Sequence, residues 1–133
     1  MNESMLMKQY IAFKGTRFTI EWYYDSRGKS QAKEYFEELS VDEQKKVFYL
    51  FEAMANLGKI INEEKFRHEG DQIYAFKPMS YRFLSFFFIG SKIIVTNAFE
   101  KKGQKLPSKE KVRALHCRQD YEKQVKNGFY YDK

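Results

Sequence analysis

Cysteine, proline, histidine and long apolar runs are all scarce in this 133-residue chain, which has one Cys, two Pro, two His and seven Gly. The lone thiol, Cys117, excludes an internal disulfide and offers no thiolate set for zinc. With only His68 and His116 besides, a histidine-rich metal centre is excluded as well, and no cofactor is expected. So few prolines and glycines leave little room for flexible linkers, and no repeat or low-complexity tract interrupts the chain. The first residues, MNESMLMKQYIAFKG, lack a continuous apolar core behind positive charge, so no secretory signal is read there. No run approaches the roughly 18 apolar residues that span a bilayer. The longest, residues 83–89, is strand-sized and broken by Ser85. These absences lead us to expect a cytoplasmic protein free of metal and membrane.

What the chain does have is aromatic mass and positive charge. Phe, Trp and Tyr make up 18% of it, and hydrophobic residues 43% against 32% charged, a globular balance with enough length for a proper core. The net charge of +6 is unevenly distributed. Residues 1–64 hold 9 Lys/Arg against 11 Asp/Glu, whereas residues 65–118 hold 12 against 4. A basic second half points to a polyanionic partner, attracted through its phosphates and bound with release of their counterions. A merely solubilising surface would carry the same charge.

Residues 17–24 (RFTIEWYY) are β-branched and aromatic, as a strand requires. Ala32, Tyr35, Phe36 and Leu39 then fall at helical spacing behind Ser30. Ser40-x-x-Glu43 has the pattern of a capping box, and Val47, Leu50, Phe51, Met54 and Leu57 continue the stripe to Gly58. The two helices make a hairpin with acidic outer faces. Residues 59–71 read as irregular, followed by strands over 72–77, 81–89 and 92–99, the last two joined by a Gly90-Ser91 turn. Residues 81–89 are apolar on both faces and belong at the sheet centre. Pro107 opens a final helix with a stripe of Ala114, Cys117, Tyr121 and Val125, ended by Gly128. The order is β-α-α-β-β-β-α, an α+β domain with the helical hairpin against one face of the sheet.

Several cations sit awkwardly for a structural role. Arg82 lies within the central strand, where a guanidinium must find a partner or open into a cleft. An internal ion pair, with Glu21 for example, would satisfy it equally well. Lys101, Lys102 and Lys105 follow the last strand in a loop, a common place for functional groups. Lys65, Arg67, His68 and Lys77 form a third group, in which His68 has the pKa range suited to proton transfer. Tyr81, Tyr121, Tyr130 and Tyr131 are candidates for stacking on bases. No phosphate-binding glycine loop, catalytic triad or carboxylate pair is recognisable, so the chemistry suggested is on phosphodiesters, with Lys and Arg stabilising charge on phosphate.

Residues 81–90 (YRFLSFFFIG) and 92–107 (KIIVTNAFEKKGQKLP) resemble the signature of the RelE/ParE toxin superfamily. That signature is Tyr-Arg opening an apolar strand, a glycine turn, a second strand, and then F-x-K-K-x-x-K-x-P. The KFR of 65–67 and the IYAFKP of 73–78 sit where its HigB-like, phage-derived branch has corresponding segments. The matching spans about residues 65–115. The resemblance implies a small antiparallel-dominated sheet, two N-terminal helices on one face, a C-terminal helix, and a concave basic face. It also implies a type II toxin–antitoxin toxin, an endoribonuclease that cuts mRNA on the ribosome by 2′-OH attack without metal. Such a toxin is held in check by a helix-turn-helix antitoxin. Arg82 takes the place of the phosphate or transition-state arginine, and Lys77, Lys101, Lys102 and Lys105 those of the lysines; Lys65, Arg67 and Tyr81 are further RNA contacts. His68, His116, Tyr121 and the Tyr130-Tyr131 pair all remain candidates for proton transfer. The whole chain, 1–133, is expected to be one such domain, with 1–16 as an N-terminal extension and 127–133 as a tail. A ParE-like inhibitor of DNA gyrase, acting by binding, and a non-catalytic nucleic-acid-binding protein remain as alternatives, because one fold carries many activities.

Overall fold

The computed structural model describes residues 8–103 and 105–131. Nine elements follow one another: β1 (Ile11–Lys14), β2 (Thr19–Trp22), α1 (Gln31–Glu37), α2 (Val41–Leu57), β3 (Phe66–His68), β4 (Tyr74–Phe76), β5 (Tyr81–Phe88), β6 (Lys92–Glu100) and α3 (Ser108–Lys126). The strands form one sheet in the order β1-β2-β6-β5-β4-β3. Every neighbouring pair is antiparallel except β2 and β6, which run parallel. The α+β class and the order of the main elements are those the sequence leads one to expect.

Local chemistry explains the helices. Ser40 Oγ accepts from the Glu43 amide at 3.2 Å while Glu43 returns a carboxylate oxygen to the Ser40 amide at 2.9 Å, so the capping box is complete. Gly58 ends α2 with φ +79°, a conformation open to glycine. Ser30 caps α1 through the Lys33 amide. Pro107 occupies the N-cap of α3, one residue before the helix. The outer side of the hairpin is less acidic than its composition suggests, because Lys45 and Lys46 line its surface clefts.

Two strands escape the sequence reading. β1 lies within the presumed N-terminal extension, and β3 within the stretch read as irregular. Both are short edge strands, three or four residues long, whose pattern is too brief to register as a period.

The sheet is covered on both faces. On one, α1 and α2 enclose Trp22, Phe36, Phe51, Phe76 and Phe83. On the other, α3 packs Ala114 and Tyr121 against Leu84, Phe86 and Ile94, with Tyr23 and Tyr130 closing the cluster. α3 and the tail therefore occupy much of the face expected to be concave and basic. What stays open lies where β5 begins and β4 and β6 end.

Candidate functional site

Strand register decides which cations meet. Arg82 pairs across the ladder with Phe99, which belongs to the core beneath α3, so Arg82 points to the α3 face. Lys101 lies two residues beyond Phe99 and leaves the strand on the same side. On the other flank, Ala75 is opposite both Leu84 and Arg67, again on the α3 face, and Lys77 follows Ala75 by two. Arg67, Lys77, Arg82 and Lys101 thus come from four different segments and converge at one end of the sheet.

The electrostatics agree with this geometry. The Lys77 ammonium is held below the usual lysine range, first by burial and then by repulsion from Arg82, Lys101 and Arg67. Its Nζ donates to the Glu63 carbonyl at 3.0 Å. Glu69 opposes the shift and is the carboxylate of the group, lying 4.0 Å from Arg67.

Arg82 is held by backbone. Its Nη1 donates to the Met79 carbonyl at 2.9 Å and the Tyr81 carbonyl at 2.8 Å. Met79 adopts a left-handed φ of 56° in the turn between β4 and β5. The Arg82 Nε is buried without a hydrogen-bond partner. Among the described residues no carboxylate forms a salt bridge with Arg82. Glu21, the partner suggested by sequence, is instead engaged by Lys92 at 3.6 Å and by the Tyr131 hydroxyl at 2.7 Å. A partly buried guanidinium with a vacant donor and no counter-charge in contact is poised for an anion.

The remaining candidates lie elsewhere. His68 sits across from Tyr74 on the opposite face, stacked on that ring at 4.8 Å, with its Nε2 accepting from the Gln72 amide. Tyr81 turns to the hairpin side, where its hydroxyl donates to Glu43 and its ring meets Tyr35 edge-on. Lys65 contributes its carbonyl to the Lys77 amide, while its side chain lies beside Tyr49 and Leu50 of α2. Lys102 and Lys105 are exposed in the loop after β6.

The tail tyrosines are absorbed by packing. Tyr121 is fully buried, and its hydroxyl meets that of Tyr131 at 2.6 Å. The Tyr130 hydroxyl oxygen accepts a hydrogen bond from the Tyr24 amide at 2.9 Å. His116 lines a separate cleft of about 720 Å3 on the far flank of α3, together with Arg113, Cys117 and a Tyr23–Asp120 hydrogen bond. Burial there pushes the Cys117 thiol up to about 12, which makes it a poor nucleophile.

Glu69 is the member of the cluster that sequence reasoning missed. The available signal was its rarity, since residues 65–118 hold only 4 acidic residues. Among the described residues no three His, Cys, Asp or Glu side chains gather closely enough to hold a metal ion.

The family model for phage-derived Gp49-like proteins (DUF891) matches residues 34–119. That span contains all four converging cations and Glu69. No curated protein matches the chain significantly. Since the match covers well over half of the sequence, the chain belongs to the Gp49-like phage-derived family, within the RelE/HigB-like toxin superfamily.

Proposed function

We propose that this chain is the toxin of a type II toxin–antitoxin pair, of the HigB-like branch, and that it cleaves mRNA on the ribosome. The whole chain acts as one domain in the cytoplasm, and a helix-turn-helix antitoxin is its neutralising partner. The observation that carries this reading is the convergence of Arg67, Lys77 and Lys101 on the Arg82 guanidinium, which among the described residues has no salt-bridge partner.

Such a group suits a phosphodiester. Arg82 donates to the non-bridging phosphate oxygens, where charge grows as the 2′-oxygen approaches phosphorus. The Lys77 amine, easier to deprotonate than an ordinary lysine, takes the proton from the 2′-hydroxyl. The new 2′-O–P bond closes a cyclic phosphate, the bond to the 5′-oxygen breaks, and that oxygen takes a proton from an ammonium group lining the site. The nucleophile belongs to the substrate, so cations and one proton acceptor suffice. His68 and Tyr81 face away and play no part in the chemistry, and Lys102 and Lys105 contact flanking phosphates.

The test is cleavage of an mRNA on translating ribosomes by purified protein. Arg82→Ala is expected to keep the fold, since among the described residues its guanidinium hydrogen-bonds only to backbone carbonyls, and to lose about 100-fold or more in rate. Undiminished cleavage by that variant removes Arg82 from the mechanism.

A further inference from the structure

The hairpin carries an apolar surface that the cation site does not use. Along α2, two adjoining clefts of about 650 and 580 Å3 share Tyr49, Leu50 and Lys65. Together they form a groove between α2 and the segments around Ile61 and Met79. Three of its apolar residues are strongly exposed, Tyr49 at 71%, Leu57 at 66% and Ile61 at 83%, above a floor of half-buried Ala53 and Ile60 and buried Leu50. Scattered exposed side chains are ordinary, but apolar residues of a helix and of the loop after it that line one cleft mark a site of association. The 17 residues of α2 run about 25 Å, the length of some four turns of a second helix.

The rim gives the occupant its charge. Lys45, Lys46, Lys59 and Lys65 border the groove, against Asp42 alone. An aliphatic floor with a lysine rim complements an amphipathic helix that has leucine-like residues on one side and glutamate or aspartate beside them. A nucleic acid would gain from the rim but little from a floor of Leu50, Ala53, Leu57, Ile60 and Ile61, where only Tyr49 offers a stacking surface.

We propose that this groove is a docking site for an acidic amphipathic helix of a partner protein. The site does not depend on the nuclease reading, because no residue of the Arg82 cluster takes part in it. Lys65 and Met79 border the groove next to the turn that holds Arg82, so a helix seated there would stand beside the cation site.

The test uses the full chain and a synthetic 16-residue helical peptide, with leucines on one face and glutamates flanking them. A second peptide carries lysine at every glutamate position. Binding, read by fluorescence anisotropy, is expected to favour the acidic peptide by about tenfold or more. The double variant Leu57→Ser/Ile61→Ser alters only exposed positions and should weaken that binding about tenfold. Lys45→Glu/Lys59→Glu should reverse the order of the two peptides. Equal affinity for both, or binding indifferent to the serine variant, overturns the proposal. So does no binding up to about 1 mM, displacement by an RNA oligonucleotide, or self-association of the chain that the serine variant abolishes. Loss of mRNA cleavage in Arg82→Ala, with peptide binding intact, leaves the two sites separately established.

Discussion

Arg82 and Lys77 are five residues apart and act on each other across neighbouring strands. Arg82 keeps its charge at any physiological pH, so its proximity makes the Lys77 ammonium less favourable, as does burial. If Lys77 is the proton acceptor, cleavage rises with pH as the neutral amine forms, and levels off below the usual lysine value of 10.5. Removing a repelling neighbour raises the Lys77 pKa, so Lys101→Ala should move this limb to higher pH. A profile unchanged by Lys101→Ala would assign the proton to another group. Tyr81 has a different duty. Its hydroxyl hydrogen bond is the largest influence holding the Glu43 carboxyl below 4.5, ahead of the Ser40 contacts. A carboxylate whose pKa is depressed by folding stabilises the protein above its unfolded value, and that contribution fades as pH falls through the folded one. Tyr81→Phe should therefore shrink the drop in Tm between pH 7 and pH 3. An identical drop in both proteins would deny the hydrogen bond any role in stability.

Among the elements, β1 shows how close packing constrains an edge strand. Gly15 ends it at a point where an added Cβ would lie 2.4 Å from the Ala55 carbonyl carbon of α2. The obstacle is backbone, so it cannot rotate aside. Gly15→Ala should cost about 2–3 kcal/mol in denaturant unfolding as β1 is pushed away from the helix; a change under about 0.5 kcal/mol would mean that strand and helix separate freely. Nothing in the sequence marks Gly15 as a contact, because the neighbour that forbids a side chain is 40 residues away. The same limit explains β3, whose Phe66-Arg-His becomes a strand only by pairing with β4. The helices were legible because their signals are local: Ser40 and Glu43 cap within one turn, and the stripe from Val47 to Met54 repeats with the helical period. Gly90-Ser91 was legible as well, with φ values of 84° and 58° that match a tight hairpin. For the site, the sequence singled out Arg67, Lys77, Arg82 and Lys101 by residue type and resemblance. It could not tell that His68 and Tyr81 fall on the opposite face, since that depends on register.

At the scale of the molecule, one sheet separates two cores and leaves function at its margins. The hairpin-side core supports the groove along α2, and the α3-side core supports the cations. The tail completes the second core: Tyr131 joins Tyr121, Lys92 and the buried Glu21 in one hydrogen-bonded group. A carboxylate buried in a sheet would be costly without those partners. Among the described residues no helix is long and apolar enough to cross a membrane. The cations gather at the open end of the α3 face, which supports the proposal that the ligand is a polyanion, a ribosome-bound message. Mapping RNA 5′ ends in bacteria, after induction of the chain without a partner, tests this most directly. The account predicts growth arrest with new 5′-hydroxyl ends inside coding sequences, both lost in a folded Arg82→Ala variant. Arrest with intact mRNA and damaged DNA, or ends that persist in that variant, would contradict it.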